Sequence, residues 1–333
     1  MTTKVLVTGA GGFIGHHLVT YLKARGYWVR GVDLKLPEYT EVDADEFEIL
    51  DLRRWDAALQ AMRGGIEEVY GLAADMGGMG FISAHHAEIL HNNALINLHT
   101  LEAARLSGVK RYLYSSSACI YPEYLQTDAD VKPLREEDAY PAQPQDAYGW
   151  EKLVTEKLCE YYASDYGMET RIVRFHNIYG PYGTYDGGRE KAPAALARKI
   201  AMVQDGGEIE IWGDGEQTRS FCLVDDCVEG IYRLMRSDYR QPLNLGTDRM
   251  VTINELARII LDISGKRDVS LRHVPGPQGV RGRNSDNTRL REVLGWEPQI
   301  SLEEGLVPTY RWIHAQLHGE EPAGVGEAVA VAG

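Results

Sequence analysis

Tyr148 and Lys152 lie one helical turn apart in a stretch with helical character. A phenol and an ammonium at this spacing project from the same helix face. The ammonium favours the phenolate and should lower the pKa of Tyr148, so that the phenol exchanges a proton with a substrate hydroxyl near neutral pH. Such a pair alone is typical of a solvated helix face. It gains weight because Ser115, Ser116 and Ser117 end an earlier predicted strand, and a serine hydroxyl there can bond the same substrate oxygen.

A glycine-rich turn near residue 10 predicts a dinucleotide site. Gly9, Gly12 and Gly15 follow an apolar run and open an amphipathic stretch. The first glycine permits a tight turn, the second lets backbone approach a pyrophosphate, and the third lets helix and strand pack closely. Asp33 ends the next predicted strand, where a carboxylate binds the ribose hydroxyls of NAD and repels the extra phosphate of NADP. We therefore expect NAD as the cofactor.

The predicted NAD site has further members beyond the glycines and Asp33. Asp51 ends another strand-like segment, although an acid in that position is also typical of a helix cap. Lys152 can hold the nicotinamide ribose. The remaining predicted contacts to the cofactor are Phe13, Ile14 and Tyr148.

With its glycine loop, serine strand and Y-x-x-x-K pair, the chain resembles the extended short-chain dehydrogenase/reductase family, which works on nucleotide sugars. The resemblance covers residues 1 to about 318. It implies a catalytic triad of Ser117, Tyr148 and Lys152 and a tightly bound NAD(H).

Longer segments resemble one branch of that family, whose members epimerise GDP-mannose at C3 and C5. These segments are residues 74–82, 117–123, 144–149, 174–181, 187–195, 212–221 and 279–287. The resemblance implies transient oxidation at the sugar C4, inversion at C5 and C3 by Cys119 and Lys191, and re-reduction to GDP-L-galactose. The 5-epimer GDP-L-gulose would need the same residues. It also implies a homodimer formed through the helices at 92–107 and 147–166.

Cys119 and Lys191 have a chemical rationale of their own. Cys119 lies two residues after Ser117, in the loop that leaves the predicted strand, and a thiol there is a candidate base, especially if Lys191 lowers its pKa. Lys191 could supply a proton on the opposite face of the sugar. Without the resemblance, an inert buried thiol and a solvated loop lysine fit these positions as well.

Positive side chains should anchor the substrate. Arg219 and Arg283 can each clamp a diphosphate oxygen bidentately, and Lys199 adds a third charge. Arg281 fits a ligand contact and a surface position equally. The predicted substrate-binding residues are Gly77, Ser117, Ala118, Cys119, Asn177, Glu190, Lys191, Ala192, Lys199, Gln217, Thr218, Arg219 and Arg283.

The order of elements predicts the scaffold that positions these groups. Apolar runs at 4–8, 27–32, 68–71, 111–115 and 170–175 alternate with helical stretches at 15–25, 55–63, 92–107 and 147–166. This alternation is typical of an α/β fold with a doubly wound parallel sheet (Rossmann), whose ligand crevice lies at the carboxyl ends of the strands.

The second half of the chain should form a smaller α+β lobe. Turn residues become dense after about residue 178, and two helices are predicted at 225–235 and 252–264, the second opened by a capping box of Thr252 and Glu255. We expect an NAD-binding domain at 1–178, a nucleotide-sugar-binding lobe at 179–318 from which a strand could return to the first sheet, and a frayed tail at 319–333.

Composition narrows the class of protein. The 333 residues carry 35 basic and 49 acidic side chains, a formal net charge of −14, which argues against general binding to nucleic acid or an anionic membrane. The cysteines show no C-x-x-C pairing, and no leader or membrane span is apparent, so we expect a cytoplasmic protein. Four histidines between 85 and 99 lack a metal-binding pattern, and no metal is predicted.

Other functions use the same motifs. A simple nucleotide-sugar 4-epimerase would need the triad and NAD but neither Cys119 nor Lys191. A 4,6-dehydratase is disfavoured, because related enzymes use an Asp-Glu pair where this chain has Ala118 and Cys119. A catalytically silent NAD-binding protein would not require an intact triad. The fold alone does not separate these functions.

Overall fold

Strands and helices succeed one another through the first half of the chain in the computed structural model, which describes residues 2–320. The strands are β1 (Lys4–Thr8), β2 (Trp28–Asp33), β3 (Glu46–Ile49), β4 (Glu68–Gly71), β5 (Arg111–Ser117) and β6 (Glu169–Phe175). The helices are α1 (Phe13–Ala24), α2 (Trp55–Ala61), α3 (Met79–Ile82), α4 (His86–Leu106) and α5 (Ala147–Tyr166). Every predicted strand is present within two residues of its expected ends. Strand β3 corresponds to the strand-like segment expected before Asp51, the short α3 was not predicted, and α4 begins at His86 rather than at 92.

The second half contains shorter strands between longer helices. In chain order its elements are β7 (Ile178–Tyr179), α6 (Ala192–Met202), β8 (Glu208–Trp212), β9 (Thr218–Arg219), β10 (Cys222–Leu223), α7 (Val224–Arg236), β11 (Pro242–Leu245), β12 (Val251–Thr252), α8 (Ile253–Ser264), β13 (Ser270–Val274), β14 (Gly282–Arg283), α9 (Thr288–Leu294) and α10 (Leu302–His318). The predicted capping box opens α8: the Glu255 amide donates to Thr252 Oγ1 at 3.0 Å, and the Thr252 amide donates to the Glu255 carboxylate at 2.7 Å.

Seven strands form one parallel sheet in the order β11-β6-β5-β4-β1-β2-β3. The chain starts in the interior of this sheet and winds outward in both directions, so the predicted doubly wound fold is confirmed. Strand β11 comes from the second half and pairs with β6. The expected return of a strand to the first sheet therefore occurs at residues 242–245.

Side chains of each strand alternate between two apolar layers. In β1, Val5 and Val7 pack with α1, α7 and α9, whereas Leu6 packs with α2, α4 and α5 on the opposite face. A third apolar cluster lies in the second half, where α6, α8 and α10 surround β8. The sheet is thus covered on both faces, and its strand ends remain free to face the smaller lobe.

No helix within residues 2–320 has the length and apolar content needed to cross a lipid bilayer. The predicted tail at 319–333 falls almost wholly outside the described residues, since the description ends at Glu320.

Candidate active site

A cavity of about 880 Å3 lies along the carboxyl ends of the parallel strands, between the sheet and the second half of the chain. This is the edge at which doubly wound sheets bind ligands. The cavity brings together every predicted site residue except Thr218. Those that line it are Gly9, Gly12, Phe13, Ile14, Gly15, Asp33, Asp51, Gly77, Ser117, Ala118, Cys119, Tyr148, Lys152, Asn177, Glu190, Lys191, Ala192, Lys199, Gln217, Arg219 and Arg283.

The glycine loop at one end of the cavity tolerates no larger residues. Gly9 has a φ of +73°, and a Cβ on Gly15 would lie 1.9 Å from the Gly9 carbonyl oxygen. The Gly11 amide donates to the Asp33 carboxylate at 3.0 Å, which ties the loop to the end of β2. Burial raises the pKa of Asp33. A closely packed strand–loop–helix with a carboxylate beside it fits NAD, with the pyrophosphate at the start of α1 and a ribose at Asp33.

Asp51 lines the cavity and also has a local structural role. Its carboxylate accepts the Arg53 amide at 3.0 Å and the Arg53 guanidinium at 2.8 Å. The hydrogen bonds from Arg53 lower the pKa of Asp51. Asp51 therefore shapes the turn before α2 through Arg53 while it lines the cavity; it is not the helix cap of the alternative prediction, because Arg54 occupies the N-cap position.

The serine strand and the helix that begins at Ala147 bring the triad together. Asp146 caps α5 by accepting the Gly149 amide at 2.8 Å, which fixes the first turn that carries Tyr148. Lys152 is buried; its Nζ donates to the Ser115 carbonyl at 3.0 Å and lies 5.4 Å from the centre of the Tyr148 ring. The triad residues thus meet at the end of β5, where a substrate hydroxyl can reach them.

The pKa of Tyr148 differs from the sequence expectation. Burial raises it well above the ordinary value of 10, and the nearby Cys119 and Glu151 act in the same direction. Burial also lowers the pKa of Lys152. The expected lowering of the Tyr148 pKa is therefore wrong, because the loss of water around the phenol dominates the shift.

Cys119 and Lys191 enter the cavity from different elements. Cys119 lies in the 3-10 turn Ala118–Ile120 directly after β5 and is half-buried. Lys191 is the residue before α6, whose first turn contains Pro193. Burial lowers the pKa of Lys191, and the charge of a Cys119 thiolate opposes that shift. The two groups are close enough to interact, on a cavity that also contains the triad.

Two arginines on neighbouring strands form a cationic wall. Arg219 in β9 and Arg283 in β14 are directly paired in register. Arg219 donates to the carbonyls of Thr218, Gln278 and Val280 at 2.7, 3.2 and 2.6 Å. Burial and the like charge of Arg283 lower the pKa of Arg219. In the described part of the chain neither arginine has a carboxylate partner, so the pair is suited to an anionic ligand.

Some predicted ligands have other partners. Thr218 lies off the cavity, with its hydroxyl donating to the Ala129 carbonyl at 2.5 Å. Lys199 lines the cavity, but its Nζ donates to the Glu210 carbonyl at 2.7 Å. Arg281, left open by the sequence, pairs with Asp214 through contacts of 2.7 and 2.9 Å and does not reach the cavity.

Several cavity residues were not predicted. Lys35 and Arg53 each follow a predicted acid by two positions, and that proximity was the available signal. Arg189 lies within a segment that carried the family resemblance. Apolar lining residues such as Trp212 and Phe221 gave no chemical signal. The unpredicted lining residues include Lys35, Arg53, Arg189, Trp212, Phe221 and Val280.

Two loops meet over the cavity and hold the segment that precedes α6. The Arg189 guanidinium stacks 3.8 Å from the centre of the Phe81 ring and lies 3.3 Å from the Asp75 carboxylate. The Arg189 carbonyl accepts the Gly78 amide at 2.9 Å. Asp75 is held in turn by the Asn92 side chain at 2.9 Å. These contacts fix the backbone two residues before Lys191.

Comparison with known proteins agrees with this geometry. Residues 5–246 match the model of the NAD dependent epimerase/dehydratase family, which is more than half of the chain. The chain belongs to this family. The expected extended short-chain dehydrogenase/reductase relationship and the NAD dependence are thereby confirmed.

Individual relatives of this epimerase/dehydratase chain refine the comparison. It is 52% identical over 324 residues to GDP-mannose 3,5-epimerase 1 of Oryza sativa subsp. japonica, covering 97% of this chain and 84% of that protein. Its structure resembles UDP-glucose 4-epimerase of Thermotoga maritima with UDP-glucose, with a TM-score of 0.85, 30% identity, and coverage of 95% and 100% of the two chains. UDP-glucuronic acid 4-epimerase of Bacillus cereus, in complex with UDP-glucuronic acid and NAD, gives a TM-score of 0.81 at 25% identity, with coverage of 95% and 100%.

Proposed function

We propose that the chain catalyses the NAD-dependent 3,5-epimerisation of GDP-mannose to GDP-L-galactose, with GDP-L-gulose as the 5-epimer. The observation that carries this proposal is that Cys119 and Lys191 line the same cavity as Ser117, Tyr148 and Lys152. A second acid–base pair beside an oxidation triad serves to invert ring carbons. The 52% identity to a rice GDP-mannose 3,5-epimerase supports the choice of substrate.

The triad acts on the sugar C4 hydroxyl. NAD, held by the glycine loop and Asp33, would supply the hydride acceptor for oxidation at C4 and the hydride donor for the final reduction. Tyr148 takes the hydroxyl proton and later returns it, and Ser117 bonds the same oxygen. Lys152, buried on the same helix face, supplies the positive charge that a phenolate at Tyr148 needs.

Cys119 and Lys191 perform the inversions. A C4 ketone acidifies the hydrogens at C5 and C3, because each carbanion is delocalised as an enolate. The Cys119 sulfur removes a proton from one face of the ring, and Lys191 delivers one to the other. The lowered pKa of Lys191 makes its ammonium a better proton donor near neutral pH. Net redox is zero, so the cofactor is regenerated in each cycle.

Arg219 and Arg283 hold the GDP diphosphate in this proposal. Both guanidinium groups face the cavity with neutral partners only among the described residues, and a diphosphate would provide the missing negative charge. This local wall allows a chain with a net charge of −14 to bind an anionic substrate.

A simple nucleotide-sugar 4-epimerase is the second candidate. It is favoured by the structural similarity to the Thermotoga maritima UDP-glucose 4-epimerase. That reaction uses Ser117, Tyr148 and Lys152 and leaves Cys119 and Lys191 without a chemical task.

Proton NMR in D2O distinguishes the two reactions. With GDP-mannose as substrate, we expect deuterium at sugar C3 and C5 in the wild-type protein and none in Cys119→Ala. Cys159→Ala is the matched control, because Cys159 is a buried thiol away from the cavity, and it should exchange at the wild-type rate. If NAD is bound to the wild-type protein but no deuterium enters GDP-mannose at C3 or C5, the 3,5-epimerase proposal is contradicted. UDP-sugars would then be tested as substrates of a 4-epimerase.

The proposal extends to a cytoplasmic homodimer. Apolar side chains on the outer faces of α4 and α5 are exposed and would be covered by a second copy: Leu90, Leu98, Leu106, Trp150, Val154 and Tyr161. Four free cysteines are compatible with a reducing compartment. Sedimentation of the wild type and of Val154→Glu tests the dimer, and a wild type that sediments as a monomer would contradict it.

A further inference from the structure

The loop between β5 and α5 buries an amide side chain whose hydrogen-bonding groups are all engaged. Gln126 follows the 3-10 turn Glu123–Leu125 and is 1% exposed. Its Nε2 donates to the carbonyls of Tyr121 and Pro122, each at 3.1 Å. Its Oε1 accepts Arg283 Nε at 2.5 Å. Gln126 is therefore a buried, fully hydrogen-bonded residue next to the cavity and not a loop residue that faces water.

These partners permit one orientation of the amide. Two carbonyl oxygens accept from one end, so that end must be the NH2 group, and the oxygen must face Arg283. The backbone carbonyl of Gln126 also accepts the amides of Arg281 and Gly282 at 2.8 and 3.3 Å. The side chain and the backbone of Gln126 thus fix both the strand that carries Arg283 and the guanidinium itself.

A fixed Nε fixes the rest of the guanidinium, because the group is planar and rigid. Its Nη1 lies 3.4 Å from the Cys119 sulfur, within hydrogen-bond distance for sulfur. A cation in contact with the sulfur provides the counter-charge for a thiolate, which is the form of cysteine that accepts a proton. Arg283 cannot itself give up a proton, so it can stabilise the thiolate without quenching it, whereas Lys191 can deliver its proton to the substrate.

We infer that Gln126 is a positioning residue for the inversion steps: it aims the Arg283 guanidinium at Cys119, so that the sulfur is held ready to accept the C5 and C3 protons. Arg283 then has two roles. One edge of its guanidinium contacts the Cys119 sulfur, and its positive charge also helps to bind the substrate diphosphate. This inference rests on the proposed function, because it assigns a purpose to Cys119 as a base.

Gln126→Leu tests the inference, since leucine keeps the apolar bulk and removes both ends of the amide. Gln126→Asn is a milder second variant whose amide is one methylene too short to reach Arg283. Gln60→Leu is the matched control, because Gln60 lies in α2, where it donates to Glu48 outside the cavity. Thermal unfolding followed by circular dichroism establishes which variants are folded.

Two measurements separate positioning from general damage. The first is alkylation of Cys119 by iodoacetamide at pH 7.5, followed by peptide mass spectrometry. The other three cysteines are buried and serve as internal references. The second is the rate of deuterium entry at C5 of GDP-mannose, compared with the rate at which bound NADH appears at 340 nm. The first reports the thiol without requiring turnover, and the second separates inversion from C4 oxidation.

The expected result is selective. Loss of the aimed cation should slow both Cys119 alkylation and C5 exchange by about tenfold, with NADH formation at saturating GDP-mannose close to the wild-type rate. Folded Gln126 variants with unchanged alkylation and exchange would overturn the inference, and so would an equal loss of oxidation and exchange. If the wild type shows no exchange, the proposed function fails, and alkylation still shows whether Gln126 controls the thiol.

Discussion

The buried ion pair behind the serine strand gives a quantitative prediction. Glu156 and Arg174 are 1% and 2% exposed at their side chains and meet through contacts of 2.9 and 2.7 Å. Glu156 also accepts the Ser116 hydroxyl at 2.5 Å. The pair therefore connects α5 and β6 to the residue next to Ser117, in a region from which water is excluded.

Glu156→Gln keeps the shape of this side chain and removes its charge. At an effective dielectric constant near 20, two unit charges about 4 Å apart attract by about 4 kcal/mol. The glutamine oxygen could still accept one bond from Arg174, as the Tyr121 hydroxyl at 3.1 Å and the Glu136 carbonyl at 2.8 Å do, but none of these partners carries a negative charge. We expect the free energy of unfolding to fall by about 3–5 kcal/mol, the usual cost of leaving one charge of a buried pair uncompensated.

Glu303→Gln is the matched control for the same chemical change at the surface. Glu303 pairs with Arg249, and the two side chains are 48% and 51% exposed. Water and salt screen such a pair, so the loss should be at most about 1 kcal/mol. Urea unfolding of the wild type and both variants gives the two differences. Equal losses in the two variants, or a loss below about 1 kcal/mol for Glu156→Gln, would refute the reasoning about burial.

Two glycine substitutions test close approaches in the site. Gly149→Ala would ordinarily stabilise a helix, but its Cβ would lie 2.2 Å from the Cys119 carbonyl oxygen. We expect a loss of about 1–3 kcal/mol in stability and, from a displacement of about 1 Å at Cys119, about 100-fold slower deuterium exchange at C5; a more stable variant with normal exchange would contradict this. Gly15→Ala places a Cβ 1.9 Å from the Gly9 carbonyl oxygen and should abolish NAD retention, measured as nucleotide released on denaturation. Purified Gly15→Ala that carries the wild-type amount of NAD would show that the loop adapts.

The parts of the fold that could be predicted are those with strong local patterns. The β1 segment has an apolar centre at Val5–Val7, and the glycine turn and helix that follow it identify a strand–loop–helix unit before any contact is known. Strand β3 (Glu46–Ile49) was expected only as a strand-like segment before Asp51, without bounds, because it has four residues and lies at the edge of the sheet. The sequence predicted that a strand of the second half could return to the first sheet, but it did not identify β11 as that strand. Pro242 at the start of β11 is a residue typical of turns.

In the site, too, features set by nearby residues could be predicted, whereas those that depend on contacts between distant segments could not. Tyr148 and Lys152 share one helix, so their spacing predicts that they lie on one face, and the serine strand before them indicates that this face does chemistry. The sign of the Tyr148 pKa shift could not be predicted, because it depends on how completely the fold removes water from the phenol. Thr218 was placed in the substrate site because it precedes Arg219, yet alternation along β9 turns its side chain toward Ala129.

Arg283 and Lys191 both lie near the Cys119 thiol, but we propose different roles for them because the structure holds them differently. Arg283 is fixed at Nε by Gln126 and retains its proton, so it can only stabilise charge. Lys191 stands at the start of α6, where burial lowers the pKa of its ammonium, so it can give a proton away. Exchanging the two residue types would place a removable proton against the sulfur, where it would be taken up by the base itself. In the proposed reaction, an arginine beside the sulfur and a lysine at the start of α6 would therefore keep the base and the proton donor distinct.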